Sequence, residues 1–565
     1  MRQALYADET IMKHHSLQNI YRNLFIVLSF LLLITLPAII VAEENTFASA
    51  SSMLTAKKFK EKEIAIEAVM QSAKTKEENK RVLDLLQALL AGKLYYKKSD
   101  KMIVVANKVD GEYFIVDVIN SEKLGVISKR KLKKITVNNK LRRKLRSYIA
   151  RLSLENDDPK IRLSAIQNMM GSSSEKIIND IREKLTTEKN SSVKDAMQTL
   201  IALVEIGSEN KEVRVGALNN LAGSLEPKAL NKIISLLEKD DAGNYLEEDK
   251  DILYAAIKAK RKIDERRDTY AFFEKIFFGL SLGSVLLLAA IGLAITFGVM
   301  GVINMAHGEL IMIGAYTTYV VQLLMPNHIE YSLLVAVPAA FIVSGLFGIA
   351  IERGVIRFLY GRPLETLLAT FGISLILQQL VRSVFSPLNR SVETPLWMSG
   401  ALEFNPVFSI TYNRLSIIIF SLIVFALLML ILKKTSLGLK VRAVSQNRPM
   451  ARAMGIRSEW VDAMTFGLGS GIAGVAGVAL SQLTNVGPNL GQTYIIDSFL
   501  VVVFGGVGNL WGTLVGAMSL GVFNKFLEPV AGAVLAKILI LVFIILFIQK
   551  KPRGLFPQKG RSAEN

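Results

Sequence analysis

From about residue 275 to 549 the chain is a succession of long apolar runs, whereas 43–270 is polar and charged. The runs fall at about 275–299, 308–325, 332–351, 366–384, 415–432, 461–483, 495–507, 511–526 and 534–549. Most reach the roughly 20 residues that a helix needs to cross a bilayer; the seventh and eighth are short. One more apolar stretch, 24–42 (LFIVLSFLLLITLPAIIVA), follows Lys13 and Arg22 and precedes Glu43 and Glu44. With Ile40-x-Ala42 before those acids and Pro37 ending its helix, it reads as a signal peptide spanning 1–42. An uncleaved anchor helix is the alternative, and Met12 is an alternative start. Either way 43–270 is expected to be exported, leaving 271–550 as the membrane domain and 551–565 as a tail.

Within 43–270 the helical period dominates. Four patterns recur: DPKIRLSAIQNM (158–169), SSVKDAMQTLIAL (191–203), NKEVRVGALNNLA (210–222) and DKDILYAAIKAKRKI (249–263). Each sets a capping residue before apolar positions at helical spacing. The set resembles HEAT or armadillo repeats, with an ordinary bundle as the alternative. Between 94 and 118 the pattern alternates instead, with Asp110-Gly111 at the turn, which predicts a small β-hairpin. The predicted class is an all-α polytopic membrane protein of eight or nine spans, with a mainly helical, HEAT-like soluble domain containing that hairpin.

The loops between the runs set an orientation. Residues 352–365 hold Arg353, Arg357 and Arg362. Residues 433–458 hold seven cations and no acid, and the tail after 549 is also basic. The loops at 326–331 and 484–494 have no cation. By the positive-inside rule the basic loops face the cytoplasm. Nine spans after an exported domain satisfy that alternation, and a re-entrant segment would change the count.

Composition narrows the picture further. A net charge of +19 would suit nucleic acid, but much of the excess lies in the short loops, so no nucleic-acid partner is expected. The absence of cysteine excludes disulfides, thiolate-bound zinc, iron–sulfur clusters and Cys nucleophiles. Four histidines without ligand spacing do not suggest a metal site. No cofactor and no catalytic set is expected, and no G-x-x-x-x-G-K-[ST] sequence is present for ATP.

Two stretches carry candidate chemistry. GVINMAHGELIMIGAYTTY (301–319) places Asn304, His307 and Glu309 between two spans. Buried ionisable groups are costly in a membrane, so these need partners, water or an edge. They can form a polar joint, with Asn304 and His307 satisfying free backbone groups and Glu309 in the first turn of the next helix. They can instead line a solute path, together with Tyr316, Thr317 and Gln378, or contact a cytoplasmic loop. Gln378 and Arg382 are four apart on one helix face and are expected to pair near the periplasmic end, with path lining as the alternative. Glycines cluster at 467–477 and recur at 508, 512 and 516, which allows close backbone approach. With VGPNLGQ (486–492) and FGGVGNLWG (504–512) they also suggest broken helices.

The second stretch is KKTSLGLKVRAVSQNRPMARAMGIRSEW (433–460). Val441, Val444, Met450 and Met454 give it an apolar face and the arginines a basic one. It reads as a surface helix held by anionic membrane lipid, or as a docking helix entering a groove on a cytoplasmic protein.

RAVSQNRPMARAMGI followed by a glycine-rich span resembles the ATPase-contacting loop of ABC importer permeases of the branched-chain amino acid type. GVINMAHGELIMIGAY, RPLETLLATFGISLILQQLVR, FGGVGNLWGTLVGA and KKPRGLFPQKG are similar to other motifs of that family, over 275–560. The exported extension, with NVGPNLGQTYIIDSF and NKFLEPVAGAVLAKI, resembles the urea-transporting branch more closely. The resemblance implies a non-enzymatic transport subunit of the bacterial inner membrane, with 43–270 in the periplasm. It implies as partners ABC ATPases that hydrolyse the ATP, a second permease subunit and a periplasmic solute-binding protein. It implies docking through Gly438, Arg442, Gln446, Asn447, Arg452, Met454, Gly455 and Ile456. Urea is the expected cargo, with branched-chain amino acids or short amides as the alternative. An ATP-independent small-solute transporter or channel, or a membrane-tethered scaffold, is the alternative of another class.

Overall fold

A computed structural model describes residues 47–73, 75–109, 112–120, 122–170 and 175–557. The expected signal peptide lies outside the described residues. The chain forms two compact units, the first ending at Ile263 and the second beginning at Asp264.

The first unit opens with helices α1 (Phe59–Gln71) and α2 (Lys76–Leu90). Thr75 caps α2 through a reciprocal box with Glu78. Strands β1 (Leu94–Lys97), β2 (Ile103–Val109), β3 (Glu112–Asp117), β4 (Lys123–Ile127) and β5 (Leu132–Lys134) form one antiparallel sheet in the order β4-β3-β2-β1-β5. The expected hairpin is β2–β3, with Val109 opposite Glu112. Asp110 and Gly111 lie outside the described residues. The sheet is larger than the sequence pattern predicted, because β4 is an edge strand with no buried position and a glycine at its centre, and β5 is only three residues long with two exposed lysines.

Six helices follow: α3 (Asn139–Ser153), α4 (Pro159–Met169), α5 (Glu175–Thr187), α6 (Ser191–Glu205), α7 (Lys211–Leu221) and α8 (Pro227–Leu236). Asn138, Asp158, Asn190 and Asn210 cap α3, α4, α6 and α7 with their side-chain oxygens. Their apolar faces form successive cores, one drawn from 150–201 and the next from 202–263. Cores that follow chain order in this way are the mark of a stacked array.

The last expected repeat helix does start at Lys250, where Asp249 accepts from Asp251 and Ile252 N–H. It does not stop. Helix α9 runs Lys250–Met300, 51 residues, because 264–274 contains neither Gly nor Pro. Its part after Ile263 belongs to the second unit. The remaining elements are α10 (His307–Leu324), α11 (Ile329–Gly354), α12 (Pro363–Phe385), the short strands β6 (Ala401–Glu403) and β7 (Ser409–Thr411), α13 (Tyr412–Lys434), α14 (Ser436–Gln446), α15 (Arg448–Ala453), α16 (Ser458–Ser481), α17 (Leu490–Gly505), α18 (Leu510–Ala531) and α19 (Ala533–Lys550).

Among the described residues seven helices are long and apolar enough to cross a membrane: α9, α11, α12, α13, α16, α18 and α19. The second and seventh expected spans are α10, an 18-residue helix diluted by His307, Glu309 and Gln322, and α17, which has 16 residues. This is a multi-pass helical membrane unit with a separate N-terminal unit. Helix α16 is its centre: 89% of its apolar window is buried, against 17% for α19. Glycine makes that possible. A Cβ on Gly314 of α10 would fall on the backbone of Gly474, and one on Gly469 would lie 2.7 Å from the carbonyl of Gly292 in α9. Gly512 and Gly516 of α18 press on α17 at Gly505. Such backbone contacts bring helices within dispersion range without side-chain ordering. The glycine-rich stretches expected to break helices form the connections on either side of α17.

Candidate translocation seam and coupling loop

Helix α9 ends at Met300, and Gly301 turns the chain with φ +68°. Residues 301–306 are irregular, and α10 resumes at His307. The joint is buried, so its polar groups need partners. Asn304 Oδ1 accepts from Ala306 N–H at 3.0 Å. Met305 N–H donates to Thr370 Oγ1 at 3.2 Å. His307 Nε2 lies 2.9 Å from the carbonyl of Ala289, so that nitrogen carries the proton and Nδ1 is a bare acceptor. Asn304 therefore serves a free backbone N–H at the joint, whereas His307 meets a carbonyl in the interior of α9 instead of a free one.

Glu309 does more than occupy a first turn. It is 1% exposed, and its Oε1 accepts from Ser374 Oγ at 3.0 Å and Gln378 Nε2 at 2.7 Å, both on α12. Its second oxygen has no hydrogen-bond partner, and neither do Asn304 Nδ2, His307 Nδ1 or the Tyr316 hydroxyl, all buried. Tyr316 lies two turns along α10 from Glu309 and packs its ring, tilted by 32°, against Phe385 at the far end of α12, ring centres 4.8 Å apart. Thr317 spends its hydroxyl on the carbonyl of Ile313 within its own helix. So Glu309, Tyr316 and Gln378 belong to the α10–α12 seam, Asn304 serves the connection before α10, His307 turns towards α9, and Thr317 is satisfied locally.

On the α12 side the seam has a period the sequence reading missed. Thr366, Thr370, Ser374 and Gln378 are spaced by four and all buried. This places one polar group per turn on a single face of an otherwise apolar helix. The spacing is visible in the sequence as TLLATFGISLILQ, but the apolar residues between obscure it. The expected Gln378–Arg382 pair is absent: Gln378 points to Glu309, while Arg382 Nη2 donates to Asn489 Oδ1 at 2.8 Å. A buried carboxylate is the stronger attractor for the amide, and Arg382 sits near the exposed end of the helix.

The basic loop folds as two short helices. Thr435 caps α14 through Gly438 N–H, and Asn447 caps α15 through Met450 N–H with Pro449 in the first turn. Gly455 closes the motif with φ +83°, a conformation that favours glycine. The four residues expected on one apolar face divide. Val441 and Val444 are buried with Ala451 and Val461. Met450 is 61% and Met454 78% exposed, and Leu439 is exposed as well. The arginines divide as well. Arg448 pairs with Asp462 at the start of α16 and stacks over Tyr360. Arg452 Nε donates to Ser458 Oγ at 2.6 Å, leaving the rest of its guanidinium on an exposed residue. Arg442 turns back and donates to the carbonyl of Leu432 at the end of α13, against which Gly438 also packs. Gln446, Asn447 and Gly455 are exposed, Gly438 is buried and Ile456 is half-buried. The loop thus presents methionines and cations outward and is bolted to α13 and α16 inward.

Comparison with known proteins agrees with this architecture. Residues 275–548 match the family of branched-chain amino acid transport system permease components. A high-affinity branched-chain amino acid transport system permease protein, BraD, of Pseudomonas aeruginosa is 31% identical over 297 residues, 51% of this chain and 96% of its own length. LivH of Salmonella typhimurium, of the same description, is 32% identical over 295 residues, 50% of this chain and 95% of its own. A ribose import permease, RbsC, of Bacillus subtilis is 32% identical over 111 residues, 18% of this chain and 34% of its own. No solved structure matches. The nearly complete coverage of BraD and LivH by half of this chain makes it a member of the branched-chain amino acid transport system permease family.

Proposed function

We propose that the chain is the permease subunit of an ATP-driven importer of the bacterial inner membrane, with urea as its cargo. The observation that carries the ATP-driven reading is the loop at 436–457, which offers Leu439, Met450, Met454 and Arg452 outward while joining two membrane helices. Such a surface suits the groove of a separate ATPase, and adaptable methionines suit a contact that re-forms each cycle. Partner ATPases would pull on this loop and shift α16 against its neighbours, alternating access to a path beside the α10–α12 seam. A second permease subunit would complete that path, and a periplasmic binding protein would deliver solute. Residues 47–263 would then lie outside the membrane, after a cleaved signal peptide.

Urea is favoured by the seam. Its groups are an amide, hydroxyls and one carboxylate, which suit a small neutral solute rich in N–H donors. The relatives with amino acid cargo are almost wholly covered by half of this chain, and its N-terminal unit lies outside the matched region. The family's printed cargo supports the second reading, import of branched-chain amino acids.

Uptake of labelled urea and leucine, in cells with and without this chain, separates the two. Loss of urea uptake alone is expected, and loss of leucine uptake alone would replace the cargo. A channel reading predicts that uptake survives removal of ATP, which the importer reading forbids. The docking assignment predicts that Arg452→Glu with Met454→Glu abolishes ATP-driven uptake while the subunit still reaches the membrane. Unchanged uptake would remove it.

A further inference from the structure

A cavity of about 330 Å³ opens at the end of α13, between that helix, the end of α9, α14 and the turn before α18. Its wall is apolar on the membrane side: Ala294, Ile295, Met429 and Leu432, with Trp511. Trp511 is 54% exposed and meets Phe425 edge-on, ring centres 5.3 Å apart. The wall is cationic where the apolar run of α13 stops: Lys433 and Arg442 line it, with Ser445 between the turns of α14, and no acid is among the lining residues. Arg442 commits one N–H to the Leu432 carbonyl, and a guanidinium has five.

We infer that this cavity is a binding site for the headgroup of an anionic phospholipid. The phosphate would sit against Lys433 and the free edge of Arg442, and an acyl chain would run along Met429 and Trp511. Three features favour a lipid over other anions. The cations stand where a membrane helix leaves the apolar layer, which is headgroup level. The adjoining wall is apolar, which a free anion does not need. Trp511 has the amphipathic ring that settles at that depth. The ligand would brace the junction of α13 and α14, the base on which the loop is bolted. The inference requires only that the second unit lies in a membrane, and holds for any cargo.

Trp511 provides the readout. The full chain carrying Trp397→Phe and Trp460→Phe keeps one tryptophan, since the chain has three. Its fluorescence is titrated with brominated phosphatidylglycerol and, separately, brominated phosphatidylcholine in mixed micelles. Expected is quenching at a roughly tenfold lower mole fraction of the anionic lipid, falling by about fivefold with Lys433→Gln. Arg442→Lys keeps the charge and should keep most of the preference, so a folding defect in Arg442→Gln would not blur the result. Equal quenching by both lipids, or a preference that Lys433→Gln leaves intact, would overturn the site. So would relief of the preference by excess inorganic phosphate, which would identify a free anion as the occupant.

Discussion

At the level of single residues, Glu309 shows how a carboxylate is held inside a membrane helix bundle. Both of its donors converge on one oxygen, so the group is half satisfied. Replacing Gln378 by Leu removes one donor to a buried carboxylate. A loss of about 1.5–3 kcal/mol is expected, visible as a lower midpoint in thermal unfolding of the purified protein. In the N-terminal unit, Arg162 grips Glu188 with two bonds, at 2.8 Å and 2.7 Å. That bidentate contact holds the Glu188 carboxyl below its usual range. A depressed folded value means stability that is complete above the unfolded carboxylate range, near 4.3, and lost as pH falls through the folded value. Hydrogen exchange of α4 amides, corrected for intrinsic rates, should therefore quicken on acidification below about pH 4. In Glu188→Gln the same amides should exchange faster at neutral pH and respond less to acid.

Among the elements, α12 and α16 differ in what their small residues do. Gly314 faces the backbone of Gly474, whereas nothing lies within 4 Å of a Cβ built on Gly372. Gly314→Ala is expected to cost about 1–3 kcal/mol or prevent folding through overpacking. Gly372→Ala should raise stability by up to about 1 kcal/mol through helix propensity. Folded yield after detergent extraction would rank the two. The element boundaries were legible where chemistry marks them: the caps at Asp158, Asn210 and Asp249 stood in the sequence as starts and serve as starts. Continuation of α9 was also written there, as an absence of breakers, but a change in polarity at 270 looks like an ending when only composition is read. The sheet was half legible, since β4 buries no position and β5 is three residues long with two lysines. In the seam, Glu309, Tyr316 and Gln378 were singled out by their polarity amid apolar residues. Which partner each one meets was not legible, because Glu309 and Gln378 are 69 positions apart and meet only once α10 and α12 pack.

For the whole molecule, the cores are the decisive fact. Every cluster of the membrane unit is built from residues after 281, and every cluster of the N-terminal unit from residues up to 263. A chain lacking 47–249 is therefore expected to yield a folded membrane unit, checked by its retention of a cooperative thermal transition. Failure to accumulate would mean that the two units depend on each other.

The glycine contacts of α16 have a mechanical consequence. Packed helices ordinarily yield by rotamer changes, which let one surface ride over another as if on a compliant layer. Where Gly314 meets Gly474 and Gly292 meets Gly469, that layer is missing, and peptide rests on peptide. A displacement entering at Ser458 cannot be absorbed at these points; it is either blocked or handed on undiminished to α9 and α10. The centre of the unit behaves less like a spring than like a gear.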